Sequence, residues 1–281
     1  MHICIRFPTV LGLLAVSALA SAASTVRLSP SACLSGDAIF SDGFETDAAI
    51  RGDVTRSVNV PGFGTRNYYL HVPPAYTPAR AWPVLLALRG QSVPSATAWA
   101  AQQVRNDWSS WADSGGFILV APVGNSTQGG WGANGDIEEI EADLDDAATA
   151  YDVEQSRIYL WGFSAGAHFA HGLALDNPDY FAAYGVSAGA LAQYACDVPQ
   201  APSCASLLSG AQPKIPVDIH LGNSDPLYLS YGAGNDPTRF QAGGWVSGQN
   251  LFYTLFVGGH TYTVAQLGEI WNHLCPFALG P

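Results

Sequence analysis

Short apolar runs alternate with helical segments along most of the chain, and this alternation constrains the fold more than any other feature. Each apolar run has the length of a strand and ends near a Gly, Pro or polar residue that favours a turn. Continuous apolar runs are typical of strands buried on both faces, as in a parallel sheet covered by helices. The sequence therefore predicts an α/β fold with a mostly parallel central sheet and helices on both faces. Strands are predicted at 66–72, 83–88, 117–120, 157–161, 181–187, 217–221 and 251–257, and helices at 96–113, 136–151, 165–175 and 263–274.

The alternation begins at residue 54 and continues without an internal repeat or a second composition regime. We therefore predict one domain over 54–281, a length within the range of single α/β domains. Residues 23–53 are rich in Ser, Ala and Asp and show no clear periodicity, so we interpret them as an N-terminal extension or linker.

The first 22 residues have the layout of a secretory signal peptide. Arg6 is followed by an apolar run over 10–19 and then by Ala20, Ser21 and Ala22, a small-residue cleavage signal. The apolar run is shorter than the roughly 20 residues that a membrane-spanning helix needs. We therefore predict cleavage after Ala22 and a secreted, extracellular protein.

Cysteine usage agrees with export. Cys4 leaves with the signal, and Cys33, Cys196, Cys204 and Cys275 remain. An even number of cysteines in an exported chain favours two disulfides, with three possible connectivities, although buried free thiols are the alternative. Cys196 and Cys204 flank a short loop containing proline, so we favour that pair, which leaves Cys33 with Cys275. The spacing of cysteines and histidines does not resemble a zinc site.

The charge balance excludes several classes of partner. The chain carries 11 Lys plus Arg against 23 Asp plus Glu, a formal net charge of −12, and Lys214 is its one lysine. Binding to nucleic acid requires clustered cations that neutralise phosphates, and anionic membrane surfaces select the same pattern. We therefore expect neither nucleic acid nor a membrane as partner.

A candidate nucleophile lies between a predicted strand and a predicted helix. Residues 162–166 read Gly-Phe-Ser-Ala-Gly, the Gly-x-Ser-x-Gly pattern of a nucleophile elbow, in which the flanking glycines relieve crowding at a strained turn. A second match at 185–189 is followed by only a brief Ala-Leu stretch instead of a helix. Ser164 is therefore the predicted nucleophile, and we expect Ser187 to pack beside a strand end.

A serine nucleophile needs a base that takes its proton and a carboxylate that orients the base. In elbows of this type the chain order is Ser, then Asp or Glu, then His. His260 lies in a Gly-rich loop after the last predicted strand, where a side chain can reach Ser164, so it is the predicted base. The other histidines after the elbow are His168 and His171, which we expect to point away from it along the helix, His220 inside a strand, and His273 in the last helix.

The predicted acid is Asp225, which lies in a turn just after the strand at 217–221. Its position in the chain, between the nucleophile and the base, is the expected one. Asp218 lies inside that strand, and the other candidates lie in helix ends or loops with no preceding strand. These other candidates are Asp176, Asp179, Asp197 and Asp236.

Backbone amides are predicted to stabilise the oxyanion of the tetrahedral intermediate. One donor is the residue after the nucleophile, Ala165, and the second comes from the loop after the strand that ends at Leu88. That loop begins Arg89-Gly90-Gln91, and we predict the N–H of Gln91 as the second donor. No cofactor or metal is needed for this chemistry.

Taken together, these motifs resemble those of the extracellular α/β-hydrolase esterases of the polyhydroxybutyrate depolymerase and feruloyl esterase type, over about 66–271. The family's nucleophile, acid and base fall on Ser164, Asp225 and His260. The other matching pieces are 69–73 (Tyr-Leu-His-Val-Pro), 83–88 (Pro-Val-Leu-Leu-Ala-Leu), Asp136 with Ile137, 151–153 (Tyr-Asp-Val), 156–159 (Ser-Arg-Ile-Tyr), 222–225 (Gly-Asn-Ser-Asp) and 258–261 (Gly-Gly-His-Thr).

The resemblance implies an α/β-hydrolase fold over 54–281 and a serine esterase that acts through an acyl-enzyme on an ester substrate, including polymeric esters. A polyhydroxybutyrate depolymerase-like polyester hydrolase is the first expectation, and a feruloyl or acetyl xylan esterase is the alternative. A peptidase on the same fold and a non-catalytic hydrolase-fold binding protein are further alternatives. One departure bears on substrate choice: the family usually has His-Gly where this chain has Arg89-Gly90.

Aromatic residues in Gly-rich loops are candidates for substrate binding. Trp131 follows a predicted strand in the stretch 129–134 (Gly-Gly-Trp-Gly-Ala-Asn), and loops at the carboxyl ends of strands carry the site in open α/β sheets. We therefore expect Trp131 to line the substrate groove, with Trp245 as a second candidate. An ordinary surface or core tryptophan is the alternative for each.

Overall fold

The computed structural model describes residues 24–27, Cys33 and residues 49–280. The expected signal peptide over 1–22 lies outside the described residues, as does most of the extension over 23–53. The first long strand begins at Gly52, next to the expected domain boundary at 54.

An eight-stranded sheet forms the centre of the fold, in the order β2-β3-β5-β4-β6-β7-β8-β9. The pairs β2–β3 and β3–β5 are antiparallel, and every pair from β5 to β9 is parallel. The prediction of a mostly parallel sheet is therefore confirmed. The strands are β2 (Gly52–Val60), β3 (Gly64–Val72), β4 (Trp82–Leu88), β5 (Ile118–Pro122), β6 (Val153–Phe163), β7 (Ala183–Ser187), β8 (Val217–Gly222) and β9 (Leu251–Phe256).

Helices cover both faces of the sheet, and alternate residues of the central strands point to the two layers. On β4, Leu85 and Ala87 pack in the cluster that includes α1 and α7, whereas Val84, Leu86 and Leu88 pack in the cluster that includes α2 and α3. All seven residues of β4 are buried, as a strand covered on both faces requires. The helices are α1 (Thr97–Gly115), α2 (Asp136–Ala150), α3 (Ala165–Asp176), α4 (Cys204–Gly210), α5 (Pro226–Ser230), α6 (Asp236–Ala242) and α7 (Val264–Leu274).

Two disulfides fix the ends of the described chain and one surface loop. Cys196 bonds to Cys204, and Cys33 bonds to Cys275, so the favoured pairing is confirmed. A two-stranded antiparallel sheet of β1 (Thr25–Arg27) with β10 (Phe277–Leu279) accompanies the second bridge. Part of the extension is thereby attached to the end of the catalytic domain.

Parallel strands place their carboxyl ends along one edge of the sheet, and ligands bind at that edge in open α/β folds. The loops after β4, β5, β6, β8 and β9 contain the residues that the sequence singles out as catalytic or substrate-binding. Among the helices of the described residues, none combines the length and the apolar character needed to cross a bilayer.

Candidate active site

Ser164 occupies a strained turn between β6 and α3. Its φ is +53°, a left-handed value that side chains other than Gly rarely adopt, so the turn projects the serine out of the sheet. The flanking glycines are required by close backbone contacts. A Cβ on Gly162 would lie 2.2 Å from the carbonyl oxygen of Gly166, and one on Gly166 would lie 2.4 Å from that of Leu88. The structure thus forms the nucleophile elbow that the motif predicts.

His260 and Asp225 complete a hydrogen-bonded chain with Ser164. His260 Nε2 lies 2.7 Å from Ser164 Oγ, and His260 Nδ1 lies 2.9 Å from Asp225 Oδ2. The Asp225 carboxylate is buried, so Nδ1 donates to it and Nε2 is free to accept the serine proton. The structure brings together the three residues that chain order singles out.

The loops that carry the acid and the base pack directly against each other. Asn223 donates its N–H to Phe256 O at 2.9 Å, and Ser224 donates its N–H to Gly258 O at 2.8 Å. A Cβ on Gly222 would lie 2.3 Å from the Gly259 carbonyl oxygen, so this approach requires glycine. Asp225 Oδ1 also accepts the N–H of Leu227 at 2.8 Å, which leaves Oδ2 to orient the base.

The loop after β4 lies beside the nucleophile. A Cβ on Gly90 would be 2.8 Å from Phe163 Cδ1 and 3.3 Å from Ser164 Cβ. Gln91 and Ala165 line the same cavity as Ser164. Within residues 49–280 neither backbone N–H of this pair has a hydrogen-bond acceptor, so both are available to an oxyanion.

Arg89, the departure from the family pattern, is buried and binds the loop that follows β5. Its side chain is 1% exposed and donates to backbone carbonyls, the shortest bonds being 2.6 Å to Val123 O and 2.8 Å to Gly129 O. It also donates to Gly90, Gly124 and Gly130. The guanidinium therefore holds the loops after β4 and β5 together and does not contact the cavity as a free cation.

Two buried carboxylates bind the amides of the same loop from the first turns of α2. Asp136 accepts the N–H groups of Asn125 at 2.7 Å and Gly132 at 2.8 Å. Glu139 accepts those of Val123 and Gly124 at 3.1 and 3.0 Å. We call this arrangement of Arg89, Asp136 and Glu139 around residues 123–132 the loop clamp.

Charge in the loop clamp is balanced below the surface. Burial lowers the pKa of Arg89 to about 10 and raises the pKa values of Asp136 and Glu139. Arg89 still carries its positive charge at neutral pH, and the two carboxyl groups lie close enough to interact with it. Sequence reasoning missed this clamp, although the acidic first turn of α2 and the buried run before Arg89 were its visible signals.

The clamped loop positions Trp131, which lies at the cavity as expected. Its Nε1 donates to Arg89 O at 2.8 Å, and its ring stacks on Phe169 with centroids 5.8 Å apart. The Arg89 guanidinium carbon lies 4.9 Å from the centroid of the Trp131 ring. Trp245, the second candidate, is instead a core residue: it is 2% exposed, and its Nε1 donates to Ile215 O at 2.6 Å.

A cavity of about 800 Å³ opens over the nucleophile. His168 lines it, so the expectation that His168 points away from Ser164 is wrong; its ring stacks on Tyr194 with centroids 3.6 Å apart. Burial lowers the pKa of His168 to about 4, so it is neutral at pH 7. His171 packs in the interior as expected, and burial lowers its pKa to about 3. The cavity wall also includes Gln91, Ser126, Gln128, Trp131, Phe169, Gly172, Leu173, Asp176, Ala195, Ala201 and Leu227.

The remaining candidate residues have structural roles. Ser187 is buried at the end of β7, where its hydroxyl accepts Trp161 Nε1–H at 3.2 Å. Asp218 contacts two imidazoles through Oδ2, His273 at 2.8 Å and His220 at 3.3 Å. Burial alone would raise the pKa of Asp218, but these two hydrogen bonds hold it below its usual value. The three side chains are close enough to hold a metal ion, but they hydrogen-bond to one another instead.

The comparisons with known proteins agree with this fold. No family model matches the chain. A stretch of 126 residues, 44% of the chain, is 28% identical to a bifunctional acetylxylan esterase/xylanase from Neocallimastix patriciarum, and covers 18% of that protein. The chain thus spans less than a fifth of that relative.

Solved structures extend the likeness to most of the chain. A ferulic acid esterase superposes with a TM-score of 0.62 at 16% identity, over 79% of this chain and 96% of that one. A ferulic acid esterase from Anaeromyces mucronatus gives 0.56 at 18% identity, over 81% and 90%. S-formylglutathione hydrolase from Staphylococcus aureus gives 0.57 at 15% identity, over 80% and 97%.

The chain therefore has the α/β-hydrolase fold, with a Ser–His–Asp arrangement at the edge of the sheet where ligands bind. The similar proteins are esterases and serine hydrolases. Fold, site and relatives together point to the carboxylic ester hydrolases as its enzyme class.

Proposed function

We propose that this protein is a secreted serine esterase that hydrolyses carboxylic esters through an acyl-enzyme. The observation that carries the proposal is the hydrogen-bonded chain from Ser164 Oγ through His260 to Asp225, with distances of 2.7 and 2.9 Å. Those distances lie within the range needed for proton transfer from a nucleophile to its base.

In the first half of the reaction, Ser164 Oγ attacks the ester carbonyl carbon while His260 Nε2 accepts its proton. Asp225 stabilises the imidazolium that forms and keeps the ring in the required orientation. The negative charge that develops on the carbonyl oxygen is directed at the N–H groups of Ala165 and Gln91. His260 then returns the proton to the alcohol oxygen, which leaves.

In the second half, water replaces the alcohol and attacks the acyl-enzyme. His260 accepts a proton from this water and returns it to Ser164 as the acid departs. The His260 side chain is 38% exposed, so water reaches it without a conformational change. No step requires a metal or a cofactor.

Two serine variants test the assignment because the chain contains two matching motifs. Ser164→Ala should abolish hydrolysis of p-nitrophenyl butyrate and labelling by a fluorophosphonate probe. Ser187→Ala is the matched control, since Ser187 occupies the second motif but bonds to Trp161, and it should retain both. Labelling that persists in Ser164→Ala would overturn the assignment. A wild type inactive on every short ester would favour the non-catalytic binding protein.

For the substrate, the relatives favour a feruloyl or acetyl ester of plant xylan. Two solved neighbours are ferulic acid esterases, and the curated relative is a bifunctional acetylxylan esterase/xylanase. A polyester is the second candidate, because the residues that line the cavity include aromatic and aliphatic side chains but no lysine or arginine. A hydrolysis panel of methyl ferulate, acetylated xylan and poly(3-hydroxybutyrate) separates these classes.

Export to the cell exterior is part of this proposal. Disulfides persist in oxidising compartments and are rare in the cytosol, and the structure contains two. Expression of the full chain in a bacterial host, followed by N-terminal sequencing of the exported protein, tests it. Cleavage after Ala22 is expected, and a retained Met1 in a protein that stays in the cytosol would contradict it.

A further inference from the structure

The active-site cavity extends along one face of α3 from the nucleophile to the end of the helix. The helix residues that line it are Ala165, His168, Phe169, Gly172 and Asp176, together with the more deeply buried Leu173. Their spacing of three or four residues places them on one side of the helix. At a rise of 1.5 Å per residue, the distance from Ala165 to Asp176 along the axis is about 16 Å. We call this face the α3 groove.

The volume of the cavity exceeds what a short acyl group would fill. An acetyl group occupies little more than one or two water molecules, each with a share of about 30 Å³ of liquid volume. The cavity measures about 800 Å³ and falls within the range of sites for much larger ligands. An acetyl ester would therefore leave most of the α3 groove empty.

Aromatic rings flank the groove midway along its length. Trp131 stacks on Phe169 on one side, and Tyr194 stacks on His168 on the other. These pairs hold each other in place and present apolar surface to the cavity. Gly172 lies one turn beyond them, and a Cβ built on it meets nothing within 4 Å. The groove is therefore open where a longer substrate would pass.

Asp176 lines the far end of the groove and has no partner of its own. No group in the described part of the chain donates a hydrogen bond to its carboxylate, although the residue is only partly exposed. Burial raises its pKa. A partly buried carboxylate without a donor is unusual, because such groups are normally hydrogen-bonded. A ligand hydroxyl would supply the missing donor.

The position of the base indicates which part of the ester enters the groove. His260 must contact the alcohol oxygen to return its proton, and it lies at the Ser164 end of the cavity with its side chain 38% exposed. Its neighbour Val257 is 92% exposed, so the alcohol faces an open rim. Ala165, whose N–H faces the carbonyl oxygen, is instead the first residue of the α3 face. The acyl part is thereby directed along α3.

We propose that the α3 groove binds an extended acyl chain that reaches about 16 Å beyond the ester and ends in a hydroxyl bound by Asp176. The substrate class is an ester of a long or oligomeric hydroxy acid, longer than a single aromatic acyl unit. This inference rests on the proposed esterase function and specifies the acyl group that the same site accepts.

Gly172 gives a direct way to block the groove. In Gly172→Leu the new side chain projects into open space, and leucine is a better helix former than glycine, so the fold tolerates it. Gly210→Leu is the matched control: Gly210 is the last residue of α4, lies outside the cavity lining, and also has nothing within 4 Å of a built Cβ.

The test compares kcat/KM for p-nitrophenyl acetate, dodecanoate and 12-hydroxydodecanoate. In Gly172→Leu the ratio of dodecanoate to acetate should fall at least tenfold, whereas Gly210→Leu should leave it as in wild type. Wild type should prefer the hydroxylated ester by about tenfold, since hydrogen bonds to charged groups are strong, and Asp176→Ala should lose that preference.

Failure of this inference is distinguishable from failure of the proposed function. If wild type hydrolyses the acetate through Ser164 and Gly172→Leu keeps the wild-type ratio, the groove does not bind the acyl chain and the inference is wrong. The same conclusion follows if the block instead affects a series of acetate esters with lengthening alcohols. If no ester is hydrolysed, the proposed function fails, and the inference fails with it.

Discussion

Replacing Arg89 with methionine should destabilise the fold and impair catalysis together. Methionine keeps a long apolar side chain but removes every hydrogen bond to the loop after β5. The bonds to Val123 O and Gly129 O, at 2.6 and 2.8 Å, are the shortest of the set. Both are buried contacts, so water cannot readily replace the guanidinium.

The magnitude follows from the groups left without partners. Each buried carbonyl that loses its donor costs roughly 1–3 kcal/mol. Removing one charge from a buried group of opposite charges costs about 3–5 kcal/mol, and Arg89 balances the carboxyl groups of Asp136 and Glu139. These costs overlap, because the loop relaxes once released. We expect the free energy of unfolding to fall by about 4 kcal/mol.

Catalysis should fall because Gln91 lies two residues from Arg89. Loss of one oxyanion donor lowers kcat by about 10²–10³-fold. We expect Arg89→Met to lower kcat on p-nitrophenyl acetate at least 100-fold, in protein that is still folded by circular dichroism.

Urea unfolding measures the stability change, and steady-state kinetics measures the catalytic one. Arg80→Met is the matched control, because Arg80 is an exposed arginine whose guanidinium lies 3.9 Å from the centroid of the Trp82 ring. Its loss should cost about 0.5–1 kcal/mol and leave kcat unchanged. A loss of under 1 kcal/mol in Arg89→Met, with kcat within threefold of wild type, would refute the role of the loop clamp.

Three further predictions address the acid, the buried histidine and the disulfides. Asp225→Asn should lower kcat by roughly 10⁴-fold with little change in the unfolding midpoint, because the base loses its orientation; a loss below tenfold contradicts it. The pKa of His171 is about 3 when folded and about 6.5 when unfolded, so its stabilising contribution is present above pH 6.5 and is lost as the pH falls. His171→Gln should therefore reduce the stability difference between pH 7 and pH 5 by about 2 kcal/mol in urea unfolding, and an unchanged difference contradicts this. Removing the Cys33–Cys275 bridge, which spans 242 residues, should cost about 5 kcal/mol, against about 2.5 for the 8-residue Cys196–Cys204 bridge. Thermal unfolding of the two double serine variants would contradict this if their order were reversed.

The central strands could be predicted from the sequence because they are buried on both faces. β4 and β5 are continuous apolar runs, and every residue of each is buried. β2 was missed because it lies at the sheet edge, where buried and exposed residues alternate and polar side chains are frequent. The short helices α5 and α6 begin at turn residues and carry few apolar positions, so no periodicity marks them.

The candidate triad could be predicted because chain order and strand ends restrict it strongly. Ser164, Asp225 and His260 each follow a strand, and parallel strands end at the same edge. The loop clamp could not be predicted in this way, since Arg89 contacts carbonyls about 35–40 residues further along the chain. His168 was misplaced because helical position alone does not show which loop covers that turn of α3.

The bridge between Cys33 and Cys275 joins residues that are 242 positions apart, so the catalytic domain lies within one covalent ring. A single cut by a protease anywhere in that ring opens the chain but releases no fragment. The two pieces stay linked until the bridge is reduced, and the strand pair β1–β10 lies next to it. An enzyme that works outside the cell, among proteases, can therefore sustain a nick in a surface loop and still keep its nucleophile, acid and base in one covalently connected molecule.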